Sequence, residues 1–441
     1  MKRHAIFLGL LAFSQPLLAA DLLQTYRDAR SNDAVYASAR AALEAGKEKL
    51  PQGLSLLLPT VNGTANTTYN DNQILFRNAT PGPFVRKFNS NGWTVTLSQP
   101  LVRMQNWEQY KQAEFQVAQA EASFGQTSQD LIVRVAQSYF DVLASQDSLA
   151  FIQAQKSAIS EQLAQAKRNF EVGTATITDT HEAQARFDLA TSQEIAAQND
   201  LELKKRVVQQ LIGKFPEAFA PLKTSAQLNP PQPNAMEPWV ESAERQNFTV
   251  RIQEAGFEIA SREVRRNRAG HLPTLDLVGS YGETGASSNI LNGTGSDTRG
   301  ATVGLQLTVP LYAGGGTTSR VRESVALLEK SRQDLENARR SAALSSRQSY
   351  LGVTNGMAQV RALEQALISS QSALDSNKLG YEVGVRINID VLNAQQQLFS
   401  TKRDLSRARY DTLLNGLKLK AASGTLSEED LAAVNNMLGT E

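Results

Sequence analysis

Phe170-Glu171-Val172-Gly173-Thr174-Ala175-Thr176-Ile177-Thr178-Asp179 returns 211 residues later as Tyr381-Glu382-Val383-Gly384-Val385-Arg386-Ile387-Asn388-Ile389-Asp390. Each copy reads aromatic, acidic, Val-Gly, a β-branched stretch, then Asp. Each sits between two long stretches patterned as helix, so a duplicated helix-turn-helix tip predicts a duplicated fold. The offset persists away from the tips. Tyr139 in Ala136-Gln137-Ser138-Tyr139 answers Tyr350 in Arg347-Gln348-Ser349-Tyr350. Gln99-Pro100-Leu101 answers Val309-Pro310-Leu311, and Leu58-Pro59-Thr60-Val61 answers Leu272-Pro273-Thr274-Leu275. The small drift in spacing between these anchors is what altered loop lengths produce.

Each half holds two segments of period two. Val61, Gly63, Ala65, Thr67 and Tyr69 alternate with Thr60, Asn62, Thr64, Asn66 and Thr68. Trp93, Val95 and Leu97 alternate with Thr94, Thr96 and Ser98. In the second half, Leu275, Leu277, Gly279 and Tyr281 are followed by Val303, Leu305, Leu307, Val309 and Leu311. One apolar and one polar face at this period reads as strand. Asn-, Gly-, Ser- and Pro-rich stretches at 70–91 and 284–300 read as loops. Four such strands are too few to close a barrel and lack a core to cover a sandwich. Weak alternation over about ten residues per strand is the pattern of a membrane barrel. Backbone groups in lipid must be paired, so four strands of one chain require further copies of it.

The remainder reads as helix. Pro100 and Pro310 end the strand pairs, and long helices are predicted over roughly 102–169 and 317–380. Val353, Val360, Leu367 and Leu374 fall seven apart, as do Ile152, Ile159 and Ala166. Seven-residue spacing is the seam of a coiled coil. Return helices are expected at 176–213, 236–270 and 387–422, with an N-terminal helix at about 22–50. The first two returns are separated by Pro216, Pro221, Pro230, Pro231 and Pro233. The domain expectation is a signal peptide at 1–20, a first repeat at 21–213, and a Pro-rich linker at 214–235. A second repeat at 236–424 and a tail at 425–441 complete it.

Composition bounds the chemistry. The 441-residue chain contains no cysteine, which excludes disulfides, Cys-based zinc sites, thiol catalysis and an N-terminal lipidated Cys. Lys2, Arg3 and His4 precede the apolar stretch Ala5–Phe13, and Leu18-Ala19-Ala20 then offers cleavage before Asp21, the pattern of an export signal. Removing Lys2 and Arg3 moves the formal charge from +1 to −1. No later stretch of ~18 apolar residues reads as a membrane helix. No nucleophile constellation points to an enzyme. His181 and His271 lack a second His at ligand spacing, and Gly314-Gly315-Gly316 lacks the Lys-Ser/Thr that would complete a phosphate cradle.

Strand pair, long helix, Val-Gly tip and split return helix, given twice, resemble the TolC family of outer-membrane channel-tunnels. The resemblance covers residues 21–436. It is most specific from Tyr381 to Asp430, through Ala422-Ser423-Gly424-Thr425-Leu426-Ser427-Glu428-Glu429-Asp430-Leu431. Leu23-Gln24-Thr25-Tyr26 and Leu58-Pro59-Thr60 also fit. It implies an α+β membrane protein: a homotrimer whose twelve-stranded barrel, four strands per chain, continues into a long periplasmic α-helical barrel. It implies a Gram-negative outer-membrane conduit spanning into the periplasm, with no catalytic role, no cofactor and no nucleic-acid partner. Its implied partners are outer-membrane lipid, a periplasmic adaptor (membrane fusion) protein, and an inner-membrane transporter of ABC or resistance-nodulation type.

Type I secretion is the favoured route, because multidrug factors of the resistance-nodulation kind commonly carry an acylated Cys. A multidrug efflux factor is the alternative. A periplasmic adaptor is the remote one, and would have one hairpin with a lipoyl-like domain.

The resemblance also assigns residues. Thr178 and Asp179 on the first tip and Tyr381 and Arg386 on the second form the periplasmic gate. In the closed state Asp179 is tied to Tyr381 and Thr178 to Arg386. Asp390 stands at the constriction ring, and Asn393 occupies the position of a usual second carboxylate, halving the formal ring charge. Val172, Gly173, Val383 and Gly384 would dock the adaptor. The same residues have plainer readings: Val-Gly as a helix C-cap, and Asp179 and Asp390 as N-caps of the return helices.

Overall fold

The structure, a computed structural model, describes residues 21–75, 77, 84–216, 218–223, 226–288 and 293–439. The expected signal peptide lies outside these. In chain order the elements are α1 (Leu22–Asn32), α2 (Ala34–Lys47), α3 (Lys49–Ser55), β1 (Thr60–Ile74), β2 (Phe84–Val102), α4 (Met104–Glu171) and α5 (Ile177–Ile212). They continue as α6 (Glu237–Gln246), α7 (Phe248–Arg268), β3 (Thr274–Ala286), β4 (Ser296–Thr308), α8 (Gly316–Glu382), α9 (Asn388–Ala422) and α10 (Glu428–Asn435). The order strand, strand, long helix, return helix occurs twice. No described helix is long and apolar enough to cross a membrane.

The chain divides into two compact units. One comprises residues 40–124 and 248–339. Its sheet is an antiparallel meander in the order β1-β2-β3-β4. Thr60 pairs with Ser98, Leu97 with Gly279, and Leu275 with Leu307. Among the described residues, the outer edges of β1 and β4 carry no partner strand. Val303, Leu305 and Leu307 stand exposed along β4, and Trp93 meets Tyr281 edge-on at 5.6 Å on neighbouring strands. Such a sheet exposes both a lipid-compatible face and two rows of unsatisfied backbone groups.

Where the sheet meets the helices, Arg103 donates two bonds to the buried Asp276, at 2.7 and 2.6 Å. Glu108 receives Arg262 at 3.1 Å; farther along the helices, Glu254 receives Arg339 at 2.8 Å.

The strand limits differ from expectation in two ways. The polar stretches read as loops at 70–91 and 284–300 are largely strand, because β1 runs to Ile74, β2 starts at Phe84, β3 runs to Ala286 and β4 starts at Ser296. Asn, Thr, Ser and Gly pair as a ladder there, held by neighbours and not by propensity. Pro100 also does not end its strand. It sits within β2 where the register to β3 slips between Pro100 and Val102, and such an irregularity is where a residue lacking an N–H is tolerated.

The other unit comprises residues 21–39, 125–247 and 340–439 within the described chain. Lengthwise halves of α4 and α8 pair here with α5 and α9. Ile159, Leu163 and Ala166 of α4 pack with Ala183 and Ala190 of α5 and Leu392 of α9. Leu374 of α8 packs with Val391 and Leu398 of α9. The seven-residue spacing therefore marks buried seams, with Val353 and Val360 also buried.

Tyr139, Phe140, Phe219 and Tyr410 form a buried aromatic cluster in this unit. The Tyr139 hydroxyl donates to the Ala220 carbonyl at 3.0 Å and accepts from its amide at 2.9 Å. The linker and the tail pack on each other: Leu222 bridges Leu438, and Lys223 N–H donates to the Met437 carbonyl at 3.0 Å.

Two helices predicted as continuous are broken. The expected 22–50 helix is three pieces. Asp33 ends the first and accepts from the Tyr36 amide at 2.7 Å, while Arg134 holds its carboxylate at 2.9 and 3.1 Å. The 236–270 helix breaks at Asn247, whose side-chain amide donates to the Ala422 carbonyl at 2.9 Å. At Asp33 a short polar side chain offers the local backbone a competing partner, whereas at Asn247 the side chain is tied to α9.

Candidate functional site at the helix tips

The two tips share one backbone device. Gly173 has φ 77° and Gly384 φ 80°, the left-handed conformation in which glycine carries no Cβ penalty. At the first tip the Asn169 carbonyl accepts from Thr174 N–H (2.8 Å) and Ala175 N–H (3.2 Å). At the second the Gly380 carbonyl accepts from Val385 N–H (2.9 Å) and Arg386 N–H (3.0 Å). These bonds satisfy carbonyls that the helix end would otherwise leave orphaned. The Val-Gly pair is thus a C-cap in both copies. Val172 and Val383 nevertheless stand 73% and 65% exposed, and the space around Gly173 and Gly384 is open. Capping does not consume these residues.

The returns begin differently. At α5 the N-cap is Thr176. Its hydroxyl accepts from Asp179 N–H at 3.3 Å, and the Asp179 carboxylate accepts from Thr176 N–H at 3.0 Å. Asp179 is therefore the third residue of a capping box and not the N-cap. At α9 the N-cap is Ile387, which has no side chain to offer, so Asp390 is likewise not the cap. Arg386 lies 3.7 Å from the Asp390 carboxylate in a half-exposed pair.

The expected gate pairs are not joined within the described residues of one chain. The Tyr381 hydroxyl accepts from the Asn169 side-chain amide at 3.2 Å, and not from or to Asp179. Thr178 is exposed and its hydroxyl does not reach Arg386. The four side chains do converge on the same end of the unit. The hairpins are joined there by residues that the sequence reading did not single out.

Asn388 is 1% exposed. It accepts from the Gln162 amide of α4 at 2.6 Å and donates to the Asp179 carbonyl at 3.3 Å. A buried amide so placed is satisfied on both sides, and removing it strands its partners. A signal existed: Asn388 occupies the repeat position of Ile177, an amide where the first copy is apolar.

Arg186 of α5 is the second such residue. It donates to Gln396 at 2.5 Å and to Asn393 at 2.9 Å on α9. Asn393 thus faces a guanidinium, while Asp390 stays partly exposed one step before it.

Comparison with known proteins gives the arrangement a context. The model of the family described as outer membrane efflux protein matches residues 25–214 and 239–425, skipping the Pro-rich linker. The outer membrane protein TolC of Vibrio cholerae is 35% identical over 423 residues, which cover 96% of this chain and 94% of that protein. The alkaline protease secretion protein AprF of Pseudomonas aeruginosa is 33% identical over 429 residues, covering 96% and 89%. Among solved structures, the Campylobacter jejuni CmeC outer membrane channel superposes with a TM-score of 0.80 over 99% of this chain and 97% of that one, at 15% identity.

Proposed function

This chain belongs to the outer membrane efflux protein family, that of the TolC channels, and from that premise we propose that three copies of it form a gated exit duct for type I secretion. The protein is an outer-membrane export channel reaching into the periplasm. Three open sheets, joined edge to edge through β1 and β4, would give twelve strands with every edge paired. The observation that carries this reading is the four-stranded sheet itself. Its apolar face is exposed and, among the described residues, both of its edges are free, a state no single chain can sustain in lipid.

The helical hairpins lead cargo to the tips, and the tips act as the gate. Tyr381, Arg386, Thr178 and Asp179 supply donors and acceptors that meet when three copies close the mouth. Each such bond is worth ~1 kcal/mol net, so three copies hold the gate by only a few kcal/mol and a docked partner can outweigh them. Exposed Val172, Val383, Val385 and Ile387 give a periplasmic adaptor an apolar surface to engage. The adaptor links the duct to an ABC-type transporter, which supplies the energy.

The secretion route rests on similarity to AprF, whose name specifies protease secretion. The efflux reading is kept by similarity to the Brucella suis efflux protein BepC, 24% identical over 427 residues.

Two measurements test this. Extraction and sizing should give a detergent-dependent trimer; a monomer soluble without detergent contradicts the duct. Deletion in the native host should abolish export of the cargo of a neighbouring ABC transporter. Unchanged export with a rise in drug sensitivity would favour efflux.

A further inference from the structure

We propose that Arg186 sets the ion selectivity of the constriction, offsetting the Asp390 carboxylates so that the mouth is not strongly cation-selective. The inference rests on the reading above that Asp390 and Asn393 line the narrow end of the duct.

Asp390, Asn393 and Gln396 follow one another at three-residue steps along α9, so they form one stripe on its surface. Arg186 comes from the other return helix and lays its guanidinium along that stripe. One nitrogen donates to Gln396 and another to Asn393. Both acceptors are neutral amides. Among the described residues Arg186 makes no ion pair, and it is half-buried. Its charge is therefore fixed in position by two hydrogen bonds and cancelled by none of them.

A carboxylate at 393 would have neutralised the guanidinium in a bidentate pair. Asn393 holds it without doing so. Arg386 adds a second cation 3.7 Å from Asp390 itself. Along the stripe, Asp390 thus has Arg386 beside it and Arg186 one step further on, against Asn393. Threefold repetition multiplies each, and a ring of fixed charges around a narrow opening governs which ions enter.

The first repeat makes the arrangement specific to this pair of helices. Arg186 has no counterpart in the second copy, where the residue 211 positions later is Gln397. The guanidinium is thus a feature of the first return helix alone, directed at the second.

The test uses the full-length trimer, purified in detergent and inserted in planar bilayers across a KCl gradient, with the reversal potential as readout. Arg186→Gln keeps an amide donor toward Asn393 and removes the charge. It should raise the potassium-to-chloride permeability ratio about threefold at low salt. The effect should fade toward 1 M, where the screening length falls to ~3 Å. Arg186→Lys keeps the charge and should leave the ratio at the parent value. Asp390→Asn should shift the ratio in the opposite direction to Arg186→Gln.

If Asp390→Asn shifts selectivity and Arg186→Gln does not, the role of Arg186 is overturned while the constriction stands. If Asp390→Asn shifts nothing, the constriction is misplaced and the proposal falls with it. A trimer peak for each variant separates both outcomes from misassembly.

Discussion

The two tips have the same backbone and different supports. In both, a left-handed glycine ends the long helix, and one carbonyl collects two amides beyond it. The first tip then closes on itself, with Thr176 and Asp179 capping α5 reciprocally. The second has isoleucine at the cap position and takes its order from the other hairpin. Asn388 reaches Gln162 and the Asp179 carbonyl, and Tyr381 receives Asn169. One copy is self-sufficient; the other is held by its neighbour. In the proposed gate the first copy would be the fixed post, and the second the leaf whose position depends on contacts that can be broken.

The largest effect should come from breaking the support of the second tip. Asn388→Ala leaves the Gln162 amide buried without a partner and should cost about 1–3 kcal/mol locally. Amide hydrogen exchange should accelerate across 379–392 and change much less across 168–180. Equal acceleration at both tips would remove the asymmetry. A smaller effect follows from exchanging the caps. Thr176→Ala should destabilise the start of α5 by about 1 kcal/mol, whereas Ile387→Asp should stabilise the start of α9 by a similar amount. If Ile387→Asp instead speeds exchange at the second tip, the missing cap is not the source of its dependence.

The smallest effect lies away from the tips. The Arg134 guanidinium, with the Tyr36 amide, holds the Asp33 carboxyl below the usual carboxylate range despite burial. A depressed carboxyl contributes stability above its unfolded value, about pH 3.9, and loses it as pH falls through the lower folded value. Thermal melting followed on lowering the pH below about 4 should show a loss that Asp33→Asn lacks. The tips should not share this acid step if their order comes from amides and caps.

Much of this architecture is legible in the chain. Period-two alternation located all four strands, and seven-residue spacing located seams that are buried at Val353, Val360 and Leu374. The tips were visible because Val-Gly is a strong local signal and because it occurs twice. The strand ends were not, since Asn- and Ser-rich residues at 70–74 and 84–91 look like loop until a neighbouring strand pairs with them. The helix breaks at Asp33 and Asn247 depend on partners elsewhere in the chain, Arg134 and the Ala422 carbonyl.

For the same reason the bonds that join the hairpins escaped notice. Gln162 and Asn388 are 226 positions apart, and Arg186 and Asn393 are 207 apart, so no local period marks them. Asn388 and Arg186 left a trace only by departing from their own repeat positions, Ile177 and Gln397.

The central claim is that the tips are a gate whose closed state rests on few, breakable polar contacts. Single-channel conductance in planar bilayers tests it most directly, comparing the parent trimer with the Asp179→Ala/Arg386→Ser double variant. The account predicts a higher conductance for the variant, with the trimer intact. A double variant that conducts like the parent would contradict it.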